Sequence, residues 1–167
     1  YGSGMGTNHH YGYQIRKIYT TAWLMRKAIL KSSRRDDILK TLLFWSALQE
    51  TRLPCAEIRD EMLDSWNTLL QPKLIAAMMI PDECGRVQAL RGLSRWVSGS
   101  VNCTPGTIGG IKVDGTTFHH GGFYPAYTTG ALATVSDYIA MTGGTEFVPS
   151  LEARRLLAGA LTATRNY

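Results

Sequence analysis

Tyr13-Gln14-Ile15-Arg16-Lys17-Ile18-Tyr19-Thr20-Thr21-Ala22-Trp23-Leu24-Met25 opens a stretch that continues to Lys31 and reads as an amphipathic helix. Ile15, Ile18, Tyr19, Ala22, Trp23 and Met25 recur at the three- and four-residue steps that share one helical face, with Arg16, Lys17, Arg26 and Lys27 between them. Ser32-Ser33-Arg34-Arg35-Asp36 interrupts the pattern as a turn. Asp36 or Asp37 then stands in the first turn of a second helix, where acids meet the positive end of the dipole. That helix is expected to reach about Glu50 through Ile38, Leu39, Leu42, Leu43, Phe44, Trp45 and Leu48, and Pro54 closes the connection.

A third helix is expected over Ala56 to Leu70, and Pro72 should break or kink it before Leu74 to Met79. Pro81-Asp82-Glu83 starts a fourth, which carries Val87, Leu90, Leu93, Trp96 and Val97 to about Ser98. Residues 99–125 form a glycine-rich segment with few apolar residues, and a loop of that length inside a domain is usually functional or disordered. Helix returns over Ala126 to Met141 and Pro149 to Ala163, with Thr142-Gly143-Gly144-Thr145 as the turn between. Helix hairpins joined by short turns make the fold class all-α, with no internal repeat.

A chain of 167 residues has the length of about one domain. Its 44% hydrophobic and 19% charged residues argue for a packed core rather than disorder. Each apolar run is interrupted by Arg, Lys or Asp before the roughly 20 residues of a membrane span. The N-terminus shows no signal peptide, so any export signal is expected outside this chain. A net charge of +5 suits a polyanionic partner, glycosaminoglycan or nucleic acid, and simple solubility equally well. Cys55, Cys84 and Cys103 lack metal or redox spacing and read as buried free thiols.

The chemistry concentrates in Asp114-Gly115-Thr116-Thr117-Phe118-His119-His120-Gly121-Gly122-Phe123-Tyr124-Pro125-Ala126-Tyr127. Glycines allow close backbone approach, and loops on rigid helices commonly carry functional groups. His120 titrates near 6.5 when unperturbed and can serve as a base, while the Tyr127 phenol, near 10, can deliver a proton. A histidine beside a tyrosine suits proton movement at a carbon next to a carboxylate, which suggests elimination on an acidic sugar. A hydrogen-bonded loop that merely packs is the plainer alternative. The two His pairs lack the helical i, i+4 spacing of a zinc motif, so no metal site is assigned.

Four motifs stand in order: Asn8-His9-His10-Tyr11-Gly12-Tyr13, Trp66-Asn67-Thr68-Leu69, Pro81-Asp82-Glu83 and the block from Asp114 to Tyr127. Together they resemble the catalytic helical domain of chondroitin sulfate ABC lyases, in the polysaccharide lyase family that includes hyaluronate and chondroitin AC lyases. The resemblance runs from about Thr7 to the end. It implies part of an α/α toroid and β-elimination at a uronic acid of chondroitin sulfate or dermatan sulfate, with hyaluronan as a further substrate. It implies His120 and Tyr127 as catalytic residues. His9, His10, Asn67, His119 and Tyr124 become substrate contacts, with His10 named ahead of His9; adjacent histidines point different ways, so normally only one of that pair faces the site. His119 reads as the outward or structural member of its pair. Tyr124, Phe123, Tyr11, Trp66 and Trp96 are candidates for sugar stacking or for core, and Trp23 and Trp45 read as core.

The resemblance favours an acidic polysaccharide over nucleic acid and implies a secreted or periplasmic enzyme. It leaves room for a divalent cation whose ligands are not evident in the sequence. Further helices and a β-rich domain of the same polypeptide are expected to supply an arginine and a glutamate, so the chain by itself should be weakly active or inactive. Two other readings stay open: a lyase for another uronic polysaccharide such as alginate or heparin, and a non-catalytic polyanion-binding helical module.

Overall fold

The computed structural model describes residues 9–55 and 62–166. Residues 1–8, with Asn8 of the first motif, residues 56–61 of the third expected helix, and Tyr167 lie outside them. Helix α1 (Gly12–Leu24) and helix α2 (Arg26–Lys31) replace the single helix expected to Lys31. The break falls at Met25 (φ −90°, ψ 8°). There the Arg26 guanidinium donates to the Trp23 carbonyl at 3.0 Å and lies 4.3 Å over the Trp23 ring, which satisfies backbone that the break opens. Helix α3 (Arg35–Trp45) has Asp36 and Asp37 in its first turn, as expected. It ends at Trp45 rather than near Glu50, because Ala47 adopts a left-handed conformation (φ 54°) and a 3-10 turn, Leu48–Arg52, follows.

The centre of the fold is one continuous helical run: α4 (Met62–Asp64), a wide π turn (Ser65–Leu69) and α5 (Leu70–Met78). Pro72 does not break it. A proline inside a helix lacks the bond to the carbonyl four residues back and crowds that carbonyl, here Thr68. The wide turn contains Thr68 and ends at Leu69, so the helix absorbs the misfit by widening instead of stopping.

Asp82 caps helix α6 (Glu83–Ser100) by accepting from the Gly85 amide at 2.6 Å, which confirms the expected start. Helix α7 (Pro125–Thr142) and helix α8 (Leu151–Arg165) follow, the second capped by Ser150. The segment between α6 and α7 is not a plain loop. Strands β1 (Gly110–Ile111), β2 (Thr117–His119) and β3 (Gly122–Phe123) form a small antiparallel meander in the order β1-β2-β3. The fold class remains all-α, with this meander laid against it.

The central run is buried from both sides. Leu63, Trp66, Leu70 and Leu74 pack with Leu93, Trp96 and Val97 of α6, Leu132 and Val135 of α7, and Leu157 of α8. Ile75, Ala76, Ala77 and Met79 pack with Tyr19 and Ala22 of α1 and Leu39 and Leu42 of α3. Trp66 and Trp96 are therefore core and unavailable to a sugar, with the Trp66 indole N–H donating to Ser100 Oγ at 2.9 Å. Trp45 is the reverse correction: it is 48% exposed, with its ring edge-on to Tyr11. The α3 end that carries it lies beside the N-terminal segment rather than inside a core. Cys84 is likewise exposed, because it sits in the first turn of α6. Among the described residues, no helix is long and apolar enough to cross a membrane.

Because Trp66 is fully enclosed and hydrogen-bonded, Trp66→Ala should lower the unfolding free energy by about 3–5 kcal/mol in a urea titration. A loss below about 1 kcal/mol would contradict this account of the core.

Candidate active site

The site begins with the two histidines ahead of α1, which turn opposite ways. The His9 ring is buried and meets Glu50 Oε1 at 2.8 Å, while Glu50 Oε2 takes the Lys73 ammonium at 3.0 Å. Lys73, fully enclosed on α5, also donates to Ser65 Oγ at 3.2 Å and lies 5.1 Å from the Trp96 ring centre. Burial would raise the Glu50 carboxyl, but the His9 hydrogen bond and the Lys73 charge more than offset this and hold it below its ordinary value. Thr68, in the π turn, donates to the His9 carbonyl at 2.9 Å. Gly12 packs so closely there that any Cβ would fall on the Thr68 hydroxyl. His9 is thus an anchor, which corrects its expected place among substrate contacts.

His10 faces the other way. Its Nε2 lies 3.3 Å from the Tyr127 hydroxyl and 3.4 Å from Asp64 Oδ2, and its ring is nearly parallel to that of Tyr127, 8° off and 6.3 Å away. Its side chain is 40% exposed, so it can meet a ligand.

A two-residue hairpin turn sorts the second pair. His119 pairs with Gly122 across the turn, and both intervening residues have positive φ, His120 at 51° and Gly121 at 77°. Positive φ at both central positions is the type I′ arrangement that suits hairpin twist. For histidine it is a strained conformation of the kind that clusters at functional sites. His120 is thereby held exposed at the tip, and His119 is buried beneath it with ring centres 3.8 Å apart. His119 Nε2 lies 3.5 Å from Asp64 Oδ2, and its ring centre is 4.7 Å from that of Tyr127. His119 is the structural member of its pair and points inward; a direct contact with a polyanion is corrected by its burial. The cause is the hairpin, because alternation along β2 sends Thr117 and His119 to the inner face.

Pro125 fixes the first turn of α7, where Tyr127 stands partly exposed. Burial, then the charge of Asp64, then Tyr124 push the Tyr127 phenol above its ordinary range, so it is a protonated acid at neutral pH. Tyr124, 40% exposed, sets its ring edge-on to Tyr127 at 4.9 Å and to His120 at 6.4 Å. Asn67 projects from the π turn and donates from Nδ2 to the Tyr13 hydroxyl at 2.9 Å. It lines a cleft of about 120 Å³ with Arg16, Gln71 and Asp137. A Cβ at Gly130 would sit 2.9 Å from Asn67 Oδ1, so that glycine lets α7 approach the π turn.

The structure therefore brings together His10, Tyr13, Asp64, Asn67, His119, His120, Tyr124 and Tyr127. Asp64, Tyr13, Gly12 and Gly130 were missed as site residues. Asp64 had a readable signal: a lone acid within Met62-Leu63-Asp64-Ser65-Trp66 must be buried with partners or turned outward. Among the described residues, no group of three or more His, Cys, Asp and Glu side chains is placed to hold a metal ion.

The family model described as "Lyase, catalytic" matches residues 1–167. The chain belongs to that family. This lyase-family chain is 33% identical over 167 residues to a chondroitin sulfate ABC exolyase of Bacteroides thetaiotaomicron, covering 100% of the chain and 16% of that protein. It is 30% identical over 166 residues to a chondroitin sulfate ABC exolyase of Proteus vulgaris, covering 99% of the chain and 17% of the relative. A chondroitin sulfate ABC endolyase of Proteus vulgaris is 29% identical over 148 residues, 87% of the chain and 14% of that protein. The chain thus spans about one sixth of the length of the curated relatives it matches.

The Glu50 network gives the stability of the fold a pH dependence. A carboxyl held below its unfolded value contributes stability at neutral pH and loses it as pH falls through the lowered value. Glu50→Gln should be clearly less stable than the parent at neutral pH, by about 3–5 kcal/mol, because Lys73 keeps a buried charge without its partner. The gap should narrow below about pH 4. Thermal melts of both proteins from neutral to acid pH measure it, and a gap that widens in acid contradicts the assignment.

Proposed function

We propose that the chain is part of the catalytic domain of a secreted or periplasmic glycosaminoglycan lyase that cleaves chondroitin or dermatan sulfate, and hyaluronan as a further substrate, by β-elimination at the uronic acid. The observation that carries this reading is the meeting of the His10 imidazole with the Tyr127 phenol at 3.3 Å, under an exposed His120. The names of the relatives agree with it.

In this mechanism an imidazole takes the proton from C5 of the uronate. The C5–H electrons form the C4–C5 double bond, the C4–O bond breaks, and the leaving oxygen takes the proton of Tyr127. The raised phenol favours this acid role over proton abstraction. His120 at the hairpin tip and His10 beside α1 reach the site from different elements. They are the two candidate bases, and together would accommodate uronic acids epimeric at C5. Asn67, whose amide keeps a second N–H, serves the substrate carboxylate and helps acidify C5. Tyr124 offers an aromatic face at the rim. The toroid is completed by the rest of the polypeptide, which supplies the remaining cationic and acidic groups, and the chain alone turns over weakly or not at all.

The test is appearance of the ultraviolet absorbance of the unsaturated uronate when the full-length polypeptide meets chondroitin sulfate. Tyr127→Phe and His120→Ala should each lower kcat by about 10²–10⁴-fold. Turnover near the parent rate in both would remove the assignment. Product from alginate or heparin alone would support the other-polysaccharide reading, and binding without product would support a polyanion-binding module.

A further inference from the structure

Asp64 is used by no step above, yet it is the most buried charged group in the site. Its side chain has no solvent exposure, and neither carboxylate oxygen has a hydrogen bond of good geometry. Two imidazole nitrogens flank Oδ2 instead, His10 Nε2 at 3.4 Å and His119 Nε2 at 3.5 Å. A buried carboxylate without partners is far more costly than a hydroxyl lacking one. Where a carboxylate and a phenol compete for one imidazole nitrogen, the carboxylate therefore decides which nitrogen carries the proton.

We propose that Asp64 is the positioning residue of this site: its buried carboxylate holds His10 and His119 in the tautomer protonated on Nε2, so that His10 Nε2 carries a hydrogen and cannot accept from the Tyr127 hydroxyl. The proposal rests on the lyase reading, which it deepens. With that nitrogen protonated, the phenol has no acceptor there and its hydrogen stays available to the oxygen that leaves. With the other tautomer, His10 Nε2 takes the hydrogen bond of Tyr127 and ties up the acid. The charge of Asp64 also opposes formation of a phenolate at Tyr127, in the same direction. The groups that face Tyr127 and Asp64 are His10 ahead of α1, Tyr13 on α1, His119 and His120 on the hairpin, and Tyr124 at the start of α7.

Asp64→Asn keeps the volume and removes the charge. In the full-length polypeptide it should lower kcat by about 10–100-fold with KM little changed, the size of loss that follows when a metal-bound imidazole loses its orienting carboxylate. The alkaline limb of the kcat profile should also move to lower pH. The sign follows from the charge: without the anion the phenol loses its proton more easily, and the acid form is the active one. A kcat at the parent level, or a loss by one constant factor at every pH with an unmoved alkaline limb, overturns the proposal.

Should Asp64→Asn fail to fold, 15N-histidine spectra of the unmodified protein, assigned with His10→Gln and His119→Gln, decide it. Protonation of both rings on Nε2 supports the proposal, and protonation of either ring on Nδ1 overturns it. If the unmodified polypeptide yields no unsaturated product, the lyase reading fails, and the same tautomer spectra still decide the role of Asp64.

Discussion

The site depends on a buried ion pair that is itself remote from the chemistry. His9 reaches into the protein to Glu50, and Lys73 holds Glu50 from the central helix. Thr68 fixes the carbonyl of His9, and the absence of a side chain at Gly12 permits that approach. Adjacent side chains cannot point the same way, so anchoring His9 inward aims His10 outward. It brings His10 to Tyr127 across 117 positions of sequence. A buried ion pair adds little net stability by itself, and removing one member strands the other. Its contribution here is geometric.

The central run supplies the second constraint. Its π turn carries Asn67 and Thr68, and Asp64 stands immediately before it. One local distortion therefore serves three contacts: the His9 carbonyl, the Tyr13 hydroxyl and the two imidazoles over Asp64. A regular helix would rotate these side chains relative to one another by a fraction of a turn. The hairpin supplies the third constraint. It places two neighbouring histidines in different environments, one enclosed against the anion and one exposed at the tip.

The regular helices were legible because apolar periodicity and capping act locally: the acids opening α3 and the Asp82 cap of α6 stand as expected, while the α1 face holds only in part, with Tyr19 and Ala22 buried and Ile18 and Met25 exposed. The irregular parts were not. Ala47 carries no sign of a left-handed conformation, and Pro72 signals a misfit without saying whether the helix breaks or widens. The glycine-rich segment reads as a loop although Asp114-Gly115 is a hairpin signal; His120-Gly121 is not one, and the second turn shows only in the structure. Alternation from Thr117 puts His119 on the same inner face, whereas the place of His120 at the tip follows from the second turn. The membership of His10, Asn67, Tyr124 and Tyr127 in one cluster was legible through the family resemblance. The inward turn of His9 was not, because it depends on Glu50, to which no local pattern points.

The central claim is that His10 and Tyr127 form the floor on which a uronate ring rests. A crystal structure of the full-length polypeptide with a chondroitin oligosaccharide tests it most directly. The account predicts a uronic acid with its C5 and C4 oxygen within hydrogen-bonding distance of an imidazole and of the Tyr127 hydroxyl. An oligosaccharide seated elsewhere, for example in a second groove lined by Phe44, Arg52, Arg91 and Arg95, with His10, His120 and Tyr127 untouched, would contradict it.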